Sequence, residues 1–125
     1  MYAAYLTFQG FQVVKAKSGM EGFTRACEAR PDLIVTDLGL PHISGWDLVR
    51  RVKADDRTKA IPVVVLTGWN GPQLHEQARQ LGCARLLLKP CLPDALADEI
   101  RRVLNANGRP ANGNGAGLVQ TLTKT

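Results

Sequence analysis

The segment Asp32-Leu33-Ile34-Val35-Thr36-Asp37 narrows the choice of fold more than any other in the chain. Residues 33–36 are an apolar, largely β-branched run that stops abruptly at a carboxylate. A run without polar alternation marks a strand covered on both faces, as in the parallel sheets of α/β proteins. Asp37 then stands at the carboxyl end of such a strand, the edge at which open α/β sheets bind their ligands. Pro41 and Gly45 break the backbone beyond it, so a loop over the strand end follows.

The pattern recurs twice. Residues 63–66 are apolar and end in Thr67-Gly68, and residues 86–88 are apolar and end in Lys89-Pro90. Helical signals separate these runs. Residues 2–9 form a helix with Tyr2, Tyr5, Leu6 and Gln9 on one face, ended by Gly10, and residues 11–16 are a strand. Ser18 and Glu21 have capping-box spacing before the stripe Met20, Phe23 and Cys27, and Pro31 stops that helix. Ser44 and Asp47 open the next helix, with Leu48, Val49 and Val52 facing inward. Pro72 takes a first helical position ahead of Leu74, Ala78 and Leu81, and a last helix near Pro93 buries Leu96, Ile100, Val103 and Leu104. The predicted order is helix and strand in strict alternation, beginning and ending with a helix.

The polar tips, in the order Asp37, Thr67 and Lys89 on successive strands, resemble the response-regulator receiver domains of two-component signalling. The resemblance covers the chain to about Ala106 and implies a flavodoxin-like (CheY-like), doubly wound parallel sheet of strand order 2-1-3-4-5. It also exposes a departure. In the family a central first strand, ending in a pair of acidic residues, precedes the first helix, and no counterpart stands ahead of Tyr2. The expected fold is therefore a receiver truncated at its N-terminus, over residues 1–106, with an empty slot roughly 5 Å wide between the strands at 11–16 and 33–36. Three outcomes are open: an upstream start, direct closure of the two flanking strands, or a second chain filling or covering the gap. Residues 107–125, rich in Asn, Gly and Ala, are expected to be a disordered tail or linker stub.

For chemistry, the resemblance implies that Asp37 is the phosphoacceptor, receiving a phosphoryl group from a histidine kinase or phosphotransfer protein. It implies that Thr67 hydrogen-bonds the phosphoryl group and that Lys89 supplies the fixed cation. Mg²⁺ would be held by Asp37 and the Gly39 carbonyl, weakly here because the acidic pair is absent. Without those carboxylates a dianionic donor meets anionic Asp37, and a charge pair near 4 Å at an effective dielectric of about 20 is worth roughly 4 kcal/mol. Slow or undetectable phosphorylation is the expectation. Output in the family runs through an aromatic switch three residues before the lysine. That position is Leu86 here, which weakens coupling to a downstream protein target, and Trp69 offers a contact or reporter beside Thr67. Homodimerisation through the last two helices or the exposed sheet gap is a further expectation.

Composition excludes other classes. At 125 residues the chain suits one domain, able to bury roughly two thirds of its unfolded surface. It has no apolar run of membrane-spanning length and no signal peptide, so a cytoplasmic protein is expected. Cys27, Cys83 and Cys91 lack metal-ligand spacing and read as reduced packing residues, and His42 and His75 as surface residues. The net charge of +5 is dispersed as Arg50, Arg51 and Lys53, then Arg101 and Arg102, with no interleaved aromatics, which argues against nucleic acid. A degenerate, phosphorylation-independent receiver acting as a protein-binding scaffold is the main rival. A hydrolase or phosphatase using Asp37 as nucleophile lacks a second general acid near it.

Overall fold

The computed structural model describes residues 2–38, 45–68, 72–89, 91–106 and 118–122. Its elements in chain order are α1 (Tyr2–Phe8), β1 (Gln12–Ala16), α2 (Gly19–Ala29), β2 (Leu33–Asp37), α3 (Gly45–Ala54), β3 (Val63–Thr67), α4 (Pro72–Leu81), β4 (Arg85–Leu88), α5 (Pro93–Ala106) and β5 (Leu118–Leu122). All strand pairs are parallel, in the sheet order β1-β5-β2-β3-β4.

That order corrects the expectation of a missing central strand. Leu118–Leu122, inside the stretch expected to be disordered, is a strand occupying the slot between β1 and β2. Its register runs from Gln12↔Leu118 to Ala16↔Leu122 on one edge and from Leu33↔Val119 to Thr36↔Leu122 on the other. With β5 counted first, the sheet has the order 2-1-3-4-5. None of the three outcomes weighed from sequence describes this, because the chain fills its own gap from its far end. The physical reason is that an interior slot exposes unpaired amide and carbonyl groups on two edges, and any segment of extended backbone that reaches it satisfies both. Residues 107–117 and 123–125 lie outside the described residues.

Side chains alternate between two layers. On one face Leu6 of α1, Leu96, Ile100, Val103 and Leu104 of α5, and Val35, Val64, Leu66 and Val119 form one core. On the other, Ala26 of α2 and Leu48, Val49 and Val52 of α3 pack on Ala16, Ile34, Val63 and Val65. The strands LIVTD and VVVLT are buried at every position, as a two-faced strand requires.

Local signals act largely as read. Gly10 has φ 98° and donates its N–H to the Thr7 carbonyl, ending α1 in a conformation that costs glycine nothing. Ser18 Oγ accepts the Glu21 N–H, while Glu21 Oε1 reaches back one residue further than a capping box, to the Lys17 N–H at 2.7 Å. Ser44 lies outside the described residues. Helix α1 is latched to α5: Arg101 donates to Gln9 Oε1 at 3.0 Å and lies 5.3 Å from the centre of the Phe11 ring.

Two measurements follow from this packing. Leu6→Ala removes a buried side chain from the α1/α5 layer and is expected to lower stability by about 2–5 kcal/mol in a urea titration. Burial pushes the Cys83 thiol up to about 11, with the nearby Lys53 ammonium opposing it in part. In a Cys27→Ser/Cys91→Ser background, the iodoacetamide alkylation rate should therefore keep rising with pH towards about 11 rather than level near the ordinary thiol value of 9.0.

Candidate functional site

The three polar tips come together because their strands are neighbours. Asp37 pairs with Leu66 across β2 and β3, and Thr67 pairs with Leu88 across β3 and β4. Two backbone hydrogen bonds then staple the strand ends: Leu38 N–H to the Leu66 carbonyl at 3.2 Å, and Lys89 N–H to the Thr67 carbonyl at 2.7 Å. These bonds hold the first residues after each strand in place just where the regular ladder ends.

Across this edge Lys89 Nζ lies 2.7 Å from Asp37 Oδ1. The pair is asymmetric: the Asp37 side chain is 4% exposed and that of Lys89 40%. The carboxylate therefore sits in a shielded pocket, while the ammonium bridges it to solvent on a stem that can swing. Thr67, at the next tip, is buried. Thr36, one residue before the carboxylate, turns its hydroxyl to donate to the Asp37 carbonyl at 3.0 Å, which leaves that hydroxyl out of the cleft.

The remaining residues singled out from sequence are placed unevenly. Leu86 is half-buried on β4, pairs with Val65 and packs against the α2/α3 core rather than standing in solvent. His75 is exposed on α4. Gly39, His42, Trp69 and Pro90 lie outside the described residues.

A divalent ion of the kind receivers generally bind does not fit the donors present. Among the described residues, no group of three or more His, Cys, Asp or Glu side chains is assembled to hold a metal. The first five residues after β2, β3 and β4 contain no Asp or Glu, and Glu21, beyond β1, is turned to the Lys17 N–H of its own helix start. Asp37 is left as one carboxylate with a lysine already on it, far short of the oxygen-rich shell Mg²⁺ prefers.

Sequence reasoning missed β5. Residues 118–122 place β-branched Val119 and Thr121 within a short run behind a glycine-rich stretch, a strand signal too short to stand out by itself. Gln120 within it is fully buried and donates from Nε2 to the Gly22 carbonyl of α2 at 2.6 Å, tying the central strand to the helix layer.

The response regulator receiver domain model matches residues 1–101. The chain belongs to the response-regulator receiver family. Among its relatives, the polar-differentiation response regulator DivK of Brucella anthropi is 33% identical over 95 residues, covering 76% of this chain and 77% of the relative. The chemotaxis response regulator CheY4 of Vibrio cholerae superposes with a TM-score of 0.78 at 30% identity, covering 83% of this chain and 87% of the other. A response regulator from Desulfuromonas acetoxidans gives 0.76 at 30% identity, over 84% and 85%. The family match ends before β5, so this receiver completes its sheet with residues beyond the matched region. Among the described residues, no helix is long and apolar enough to cross a membrane.

The ion pair is testable by a double-mutant cycle. Asp37→Asn, Lys89→Met and the double variant, compared by urea denaturation, should give a coupling of about 1–3 kcal/mol, because the carboxylate is shielded although the ammonium is partly in water. A coupling near zero would show that the lysine contributes nothing to holding the site.

Proposed function

We propose that this receiver accepts a phosphoryl group on Asp37 from the phosphohistidine of a kinase or phosphotransfer protein, and that it does so slowly. The observation that carries the reading is the Asp37–Lys89 contact at 2.7 Å on the edge shared with Thr67. In the step, an Asp37 carboxylate oxygen forms a bond to phosphorus as the bond from phosphorus to the donor's imidazole nitrogen breaks. The electron pair of that bond leaves on the imidazole. Lys89 turns from Asp37 to a phosphoryl oxygen, its half-exposed stem allowing the shift, and the Thr67 hydroxyl donates to another.

The rate is set by charge. A receiver with several carboxylates at this edge holds a cation against the incoming dianion, whereas here Lys89 alone offsets the repulsion. Phosphorylation then biases an equilibrium between two surface arrangements read by a downstream protein. Leu86, with no hydroxyl and already packed inward, transmits that bias weakly.

A second reading, a scaffold that binds partners whatever its phosphorylation state, draws on the same two features: the single carboxylate and the leucine at the switch position. Intact-mass analysis during incubation with acetyl phosphate separates the two. Slow addition of one phosphoryl group, absent in Asp37→Asn, slower still in Lys89→Met and little changed by Mg²⁺, is the expected result. No addition at all would favour the scaffold, and rapid labelling that depends on Mg²⁺ would overturn the charge argument.

A further inference from the structure

β5 occupies an interior position in the sheet, hydrogen-bonded on both edges, and two of its three described side chains are polar. Of its two neighbours, β2 is buried at every position, while β1 is buried only at Ala16. In β5, Val119 joins the core, but Gln120 and Thr121 beside it are polar and buried. Gln120 Nε2 has its bond to the Gly22 carbonyl, while Gln120 Oε1 is buried with no hydrogen-bond partner, which costs the strand part of what its burial gains. Two backbone ladders hold the strand, and a ladder is indifferent to which molecule supplies the strand.

The covalent attachment is equally undemanding. β5 follows α5 through residues 107–117, a segment with four glycines and three asparagines that spans up to ~40 Å when extended. β5 is the last described element, so no other described element travels with it when it is exchanged.

We propose that β5 is an exchangeable strand: it can leave its own slot and enter the slot between β1 and β2 of a second copy, giving a reciprocally complemented dimer. The second copy is the fitting occupant because its residues 118–122 bring the same register on both edges and the same Gln120–Gly22 bond, so the exchange forfeits no contact made in the monomer. The balance between the two forms is set by the tether. A linker of this kind presents the chain's own strand at an effective concentration on the order of millimolar, so the wild-type chain is a monomer at micromolar concentration and exchanges only when crowded or partly unfolded. The exchange is independent of whether Asp37 takes a phosphoryl group.

The full chain with residues 108–117 deleted tests this. One residue, ~7 Å of reach, then joins α5 to β5, less than the roughly 10 Å between packed layers, so the strand cannot return to its own sheet. Light scattering on the eluted protein should show a dimer at micromolar concentration with the circular dichroism of the wild type, a lowering of the dimerisation midpoint by on the order of 100-fold or more. A folded monomer would overturn the proposal. A second experiment decides the matter if that variant does not fold. Full-length Val119→Asp, whose strand carries a charge into the core, is mixed with a synthetic peptide of residues 116–125. Recovery of the wild-type spectrum in proportion to peptide supports a slot that takes its strand in trans, and failure of the peptide to bind the variant refutes it.

Discussion

An interior strand of a parallel sheet is constrained by both edges at once, and this molecule depends on that constraint at the slot between β1 and β2. Each flanking strand turns amides and carbonyls toward the slot, and apolar side chains line it above and below. Leaving it empty would cost more than the margin of stability of a small domain. Backbone hydrogen bonding places few demands on sequence, so a modest run such as Leu-Val-Gln-Thr-Leu can satisfy it from the far end of the chain. What the slot specifies is extended geometry, length and direction, with an apolar side chain at Val119 and an amide at Gln120. The identity of the chain that supplies them is left open.

The candidate site rests on the same sheet. Asp37 is held at a strand end whose neighbours on both sides are now present, β5 on one and β3 on the other, and the two backbone staples at Leu66 and Thr67 bring the acid, the hydroxyl and the amine to one edge. Geometry is therefore intact while the charge balance is not. The strand that completes the sheet restores hydrogen bonding without restoring carboxylates, since no Asp or Glu occurs after Glu99. On the function proposed above, Asp37 would act as the nucleophile with Lys89 alone offsetting an incoming dianion.

Much of this was legible in the residues. The runs 33–36 and 63–66 name themselves as two-faced strands because burial on both sides removes polar alternation, whereas the equally apolar 86–88 lies in the edge strand β4 with Leu88 exposed; the three tips followed once the strands were placed side by side. Gly10, Ser18 and Pro31 marked boundaries because their constraints are local, confined to the φ angle or hydrogen bond of one turn. Leu118–Leu122 was not legible, for the opposite reason. Its composition favours no structure by itself, and a glycine- and asparagine-rich stretch before it reads as disorder.

The amino-acid order by itself determined the family, the alternation of helix and strand, and the identity of the acid, hydroxyl and lysine at three strand ends, since each is written in patterns a few residues long. Only the tertiary structure decided which segment stands in the middle of the sheet. That choice depends on a vacancy created by strands more than eighty residues away in the chain, and a pairing across such a separation leaves no trace in the local pattern of either partner.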